Sequence, residues 1–190
     1  MKNTIIVFSF VLLTGCRCGN EQELYKDNLF CYGTNYLGWG SGDYRLLRIG
    51  TADKPFYKSS FEFSIKLPSG AILKSTEFTK ENIQKIKEIK TDRYPRVCAD
   101  PSLEFLSEAE IYYYPCSTAY PSARCCWFAF KDSKIIYFDA DAQDAEFRDE
   151  GISVYIGTIS GDKFYKMPLT PKQIEEIFGK PDKIEAYWRP

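Results

Sequence analysis

An apolar run, Ile5-Ile6-Val7-Phe8-Ser9-Phe10-Val11-Leu12-Leu13, opens the chain just after Lys2 and stops at Thr14-Gly15-Cys16. A helix needs ~20 mostly apolar residues to span a bilayer, and this run is about half that length. A positive n-region, a short apolar h-region and small residues before a cut are the marks of a secretory signal peptide. Residues 1–15 therefore read as a signal removed on export. Whatever folds is expected to begin near residue 16 and to do so outside the cytoplasm.

The end of that run is more specific than a general signal. Leu13-Thr14-Gly15-Cys16 places an aliphatic residue and two small residues before a cysteine. All four positions resemble the lipobox of bacterial lipoproteins. The resemblance implies that the Cys16 thiol receives a diacylglycerol, that the chain is cut just before it, and that the new amino group is acylated, with palmitate a typical chain. One acyl chain holds a protein to a membrane only marginally, whereas two or more hold it firmly, at about 0.8 kcal/mol per buried methylene. Residue 17 is Arg rather than Asp. In lipoproteins of the enterobacterial kind an Asp there marks retention in the inner membrane, so the resemblance favours the outer membrane. The expected location is the cell envelope, with the periplasmic and outer faces both open.

Residues 16–23 read as a lipidated stalk and residues 24–190 as a single globular domain, long enough to bury a core. Lys and Arg number 25 against 26 Asp and Glu, so no basic excess suits a nucleic-acid partner. Histidine is absent. That removes the commonest general base, the commonest metal ligand and every Ser-His or Cys-His pair. No catalytic motif is present, and the chain is not expected to be an enzyme or to carry a cofactor. Seven cysteines occur. With Cys16 lipidated, Cys18, Cys31, Cys98, Cys116, Cys125 and Cys126 remain for disulfides in an oxidising compartment, and sequence alone does not choose their pairing. Cys18 and Cys31 are candidates to close a small N-terminal loop, and at least one bridge is expected within 98–126. The adjacent Cys125 and Cys126 should take different partners, because neighbours on a strand point to opposite faces. Paired C-x-x-C knuckles are missing, so no metal site is expected.

Residues 32–44 mix glycine and aromatic residues without a helical period and read as loop or irregular edge. Tyr44–Ile49 is a weak strand. Phe61, Phe63, Ile65 and Leu67 alternate onto one strand face. Thr79 is placed to cap a helix over 80–90, in which Ile83, Ile86 and Ile89 recur. Residues 91–103 read as loop and Ala109–Tyr114 as a strand. Arg124–Phe130 and Lys134–Phe138 flank one hairpin turn, and Ile152–Ile159 and Lys163–Met167 flank another. The last helix is the best marked, with Thr170 as cap, Pro171 at its first position, Gln173 completing a capping box, and Gly179 as its stop. Ile184–Trp188 suits a closing strand. The fold class is α+β: an antiparallel sheet with hairpins and two short amphipathic helices, stabilised by disulfides.

Tyr112, Tyr114 and Tyr120, with Trp127 close in sequence, are the candidate partner-binding residues, since interfaces and sugar platforms both use such rings. The alternative is that the rings fill the core. The run Asp139–Glu150 has calcium-like spacing, but Asp144 stands where an EF-hand loop needs glycine, and a solvated acidic loop is the plainer reading. Glu104, Glu108 and Glu110 are acids near aromatics, the minimum for carboxylate-dependent glycan hydrolysis, but surface charge is the reading favoured for them. The stretch Thr170–Pro190 is loosely similar to small envelope lipoproteins, some of them assembly factors and some immunity proteins that neutralise toxins. The expected function is to bind a protein partner at the membrane in one of those roles. The alternative is an envelope glycan binder or hydrolase.

Overall fold

Strand pairing is antiparallel throughout the described part of the chain. The computed structural model describes residues 27–32, 35–39, 46–92, 101–117, 124–141, 152–167 and 169–187. The strands are β1 (Asp27–Tyr32), β2 (Asn35–Trp39), β3 (Leu46–Ile49), β4 (Ser64–Lys66), β5 (Ile72–Lys74) and β6 (Lys90–Asp92). They continue with β7 (Glu110–Pro115), β8 (Arg124–Lys131), β9 (Lys134–Asp141), β10 (Tyr155–Gly157), β11 (Phe164–Lys166) and β12 (Lys183–Tyr187). Two short α-helices, α1 (Lys80–Gln84) and α2 (Pro171–Phe178), and three 3-10 turns complete the regular elements among the described residues. Eight strands form one sheet in the order β12-β1-β2-β3-β9-β8-β7-β6, and four form a second in the order β11-β10-β4-β5. The α+β class and the antiparallel sheets are as the sequence suggests. Neither helix is long and apolar enough to cross a membrane.

Each hairpin follows from its turn residues. Asp132 and Ser133 have φ values of 50° and 62°, as a two-residue type I′ turn requires, and they join β8 to β9. Gly161 at φ 74° lies in the turn between β10 and β11. In α2 the Thr170 hydroxyl accepts from the Gln173 amide at 3.3 Å, and the Gln173 side chain accepts from the Thr170 amide at 2.9 Å.

Three of the expected elements change. Of the loop expected over 91–103, Thr91 and Asp92 belong to β6 because they pair with Tyr112 and Ile111 of β7, and Pro101 opens a 3-10 turn that runs to Leu106. Residues 35–39, expected as loop or irregular edge, form strand β2, because backbone pairing with β1 on one side and β3 on the other holds them extended. The helix expected over 80–90 ends at Gln84. Beyond it the Ile86 amide bonds to Ile83 O and the Ile89 amide to Ile86 O, both three-residue steps. Isoleucines three apart eclipse one another in such turns, so their spacing suits a period of three better than 3.6.

The main core lies between one face of the large sheet and the small sheet with its helices. Ile65, Leu67, Val154 and Ile156, with Ile83 and Ile174 from the helices, share it with Leu47, Phe128, Phe130 and Phe138. Phe63, just before β4, sits 5.4 Å from the Phe138 ring and 5.8 Å from Phe78, and Phe78 meets Phe128 edge-on at 5.1 Å. Burying one such ring contributes roughly 1.5–3 kcal/mol. A smaller cluster on the opposite face holds Ile111, Ala129, Ile136 and Tyr137 under the turn over Pro101–Leu106.

Cys116, Cys125 and Cys126 are all buried in the main core. This differs from the expectation that Cys125 and Cys126 point apart. The β7–β8 register breaks between Tyr114 and Pro115, which face Cys126 and Arg124, so Cys125 is the extra residue of a bulge. No disulfide joins any two of the described cysteines, Cys31, Cys116, Cys125 and Cys126, so the expected disulfide stabilisation is not seen among them. Cys18 and Cys98 lie outside the described residues.

Gly50 and Gly70 separate two costs of a side chain. Both have positive φ, 107° and 89°, but a Cβ on Gly50 would stand 2.3 Å from Ile136 O, whereas one on Gly70 meets nothing. Gly50→Ala should cost about 2–3 kcal/mol and Gly70→Ala about 1 kcal/mol, read as urea midpoints at unchanged slope. Equal losses would refute the close approach.

Candidate functional site

Register places one row of residues across the whole large sheet. Directly opposed residues share a face, and the pairs Lys183–Cys31, Cys31–Tyr36, Tyr36–Arg48 and Arg48–Asp139 run from β12 to β9. Asp139–Trp127, Trp127–Tyr113 and Tyr113–Lys90 carry the row on to β6. This is the face away from the main core. A strand over 124–130 is legible from the sequence. The row is not, because it requires the pairing of strands distant along the chain.

Asp139 is its charged centre, only 4% exposed. The Tyr137 hydroxyl donates to Asp139 Oδ2 at 2.8 Å, and Arg48 Nε donates to the same oxygen at 3.3 Å. Burial pushes the Asp139 carboxyl above the ordinary carboxylate range, opposed by Arg48, the Tyr137 hydrogen bond and Arg124. The Trp127 and Tyr137 rings lie 4.7 Å apart, and the Arg48 guanidinium stands 5.9 Å from the Tyr137 ring centre. Asp139 is therefore a buried carboxyl inside β9, not the first ligand of a solvated acidic loop. Residues 142–150 lie outside the described part. No cluster of three or more metal-ligating side chains occurs among the described residues.

The bulge adds a second guanidinium. Arg124 stands 4.9 Å over the Tyr113 ring and donates to Asp92 Oδ2 at 2.5 Å. Its Nε is buried and has no hydrogen-bond acceptor among the described residues. Beside it runs a groove of about 510 Å³ lined by Thr91, Asp92, Ser107, Glu108, Glu110 and Tyr112, among others. Lys80 holds Glu110 at 2.7 Å and Lys131 holds Glu108 at 2.6 Å. These hydrogen bonds and charges keep both carboxyls below their ordinary range.

Of the tyrosines expected to bind a partner, Tyr112 and Tyr114 are 3% and 7% exposed and belong to the main core. Alternation along β7 turns them inward and leaves Tyr113 on the opposite face with Trp127. Trp127 is half-buried in the row, and Tyr120 lies outside the described residues. Cys31 lies on the row's face near the other end of the sheet, on β1. Five strand spacings separate β1 from β7, about 24 Å, far beyond the ~7 Å a disulfide allows between Cα atoms. Cys31 therefore cannot pair with Cys116. Comparison with protein-family models, curated proteins and solved structures finds no match for this chain.

Asp139 gives the site a pH signature. With its pKa raised on folding, the native state binds the extra proton, so the stability it contributes is present below the unfolded value and is lost as pH rises through the folded one. From about pH 4 upward, wild-type stability should fall relative to Asp139→Asn, on top of a constant offset from the altered Arg48 contact. Urea titrations of both proteins across that range test it. A constant difference would show that the carboxyl is not raised.

Proposed function

We propose that the chain is a lipoprotein of a bacterial cell envelope, anchored through Cys16, whose domain binds a protein partner as an assembly factor or a toxin-neutralising immunity protein. The lipobox resemblance of Leu13-Thr14-Gly15-Cys16 supports the anchor, and Arg17 favours the outer membrane. One observation carries the binding: Trp127, Tyr113, Arg124 and Arg48 share the sheet face away from the main core. Tryptophan, tyrosine and arginine dominate binding hot spots because each combines large contact area with directed donors.

The rival glycan hydrolase is less well supported. A glycosidase acid needs a raised pKa, whereas Glu108 and Glu110 are held ionised by lysines. Disulfides remain part of the proposal. Strand order sets Cys31 about 24 Å from β7 and about 19 Å from Cys125 and Cys126 on β8, so the proposed partners for Cys31 are Cys18, closing a small loop, or Cys98.

The mature protein, taken from its native host, should begin at Cys16 and carry acyl mass, and Cys16→Ser should move it from membrane to soluble fractions. Non-reducing peptide maps should join Cys31 to Cys18 or Cys98. A photo-crosslinker at Trp127 should capture one stoichiometric protein, and Trp127→Ala with Tyr113→Ala should weaken that complex by about 2 kcal/mol or more. A thermal shift with envelope glycans and no protein crosslink would favour the glycan reading.

A further inference from the structure

At the hairpin end of the same sheet face, Tyr57 is 48% exposed, an unusual position for a large ring. It is fixed there from below. The short turn Phe56–Lys58 buries Phe56 against Phe63 and Phe78, at 6.3 and 5.8 Å, and so turns the next side chain outward. Two ammonium groups flank the ring: Lys58 Nζ lies 5.8 Å and Lys134 Nζ 5.4 Å from its centre. Beside them is a recess of about 320 Å³, walled by Pro55, Phe105 and Ile136 with Lys131 and Asp132 at the rim.

The charge placement there is costly. Lys134 sits directly opposite Lys131 in the ladder, and like charges so placed repel. Lys131 is held by Glu108, but among the described residues neither Lys58 nor Lys134 forms an ion pair with a carboxylate. The turn holding Lys134 also keeps Ser133 at φ 62°, where glycine or asparagine is preferred. Asp53 and Asp132 are the nearby acids along the chain, and both are exposed.

We propose that Tyr57, Lys58 and Lys134 form a docking point for an acidic segment of a protein partner, one carboxylate meeting the two ammonium groups and a neighbouring apolar side chain entering the recess. Charge complementarity selects the carboxylates, and the Pro55, Phe105 and Ile136 walls select the apolar residue between them. The inference rests on the protein-binding reading and extends it to a second point on the face.

The test uses the full mature chain and a defined probe, the peptide acetyl-Glu-Tyr-Asp-Leu-Glu-amide, followed by NMR shifts of Tyr57 and Lys134. Saturable binding is expected, weakened at least tenfold by Lys58→Glu with Lys134→Glu and by added salt. Tyr57→Ala should also weaken it. Lys66→Glu with Lys166→Glu, an equal charge change at exposed positions on the small sheet, should leave it intact. No saturable shift, equal binding of a lysine-for-acid version of the peptide, or equal loss in the control pair would overturn the proposal. So would shifts seen only with phosphatidylglycerol vesicles, which would make the patch a membrane contact. Because the probe is synthetic, its failure leaves the Trp127 crosslink to judge the wider reading separately.

Discussion

The fold depends on a cluster of phenylalanines. Phe63 and Phe78 belong to the layer of the small sheet, and Phe128 and Phe138 to the large one. Their tilted and edge-on contacts are the arrangement that ring quadrupoles favour. The strands of the small sheet are only three residues long and would not persist alone. Their stability comes from the rings between the layers, and the large sheet in turn gains cover for its apolar face. The site face inherits its rigidity from this arrangement, since β8 and β9 carry Phe128 and Phe138 inward and Trp127, Tyr137 and Asp139 outward.

Local chemistry made part of this legible. The Thr170 cap, Pro171 and Gly179 mark α2 at the residues where it begins and ends. Lys131-Asp132-Ser133 marks the β8–β9 turn, and the alternation of Phe63, Ile65 and Leu67 correctly assigns their shared buried face. Other elements depend on partners that no local window contains. β2 reads as loop because a glycine between aromatics becomes strand only between β1 and β3. The isoleucines at 83, 86 and 89 give a helical signal that three-residue turns satisfy as well. β1 and β6 carry no strong pattern, and each is held by pairing with distant strands.

The site was less legible than the fold, for a related reason. Tyrosine density in 112–114 draws attention to β7, but sequence does not tell which alternate ring faces the core. Here Tyr112 and Tyr114 go inward and Tyr113 outward. Asp139 looked like the start of a calcium-like loop because its neighbours are acidic. Its partners, Arg48 and Tyr137, become visible only when β3 lies beside β9. The row from Lys183 to Lys90 is a product of register and exists in no contiguous stretch of sequence.

The bulge at Cys125 acts as a phase shifter. On an uninterrupted β8, Arg124 would share the face of Cys126 and Phe128, and a guanidinium would be forced among phenylalanines. One inserted residue reverses the parity of the strand beyond it and delivers that charge to the opposite surface beside Tyr113. The same step keeps the neighbouring sulfur in the apolar layer. A single unit of chain length thus works as a sorting device between an oily side and a polar one, and deleting it would turn Arg124 back toward the phenylalanines.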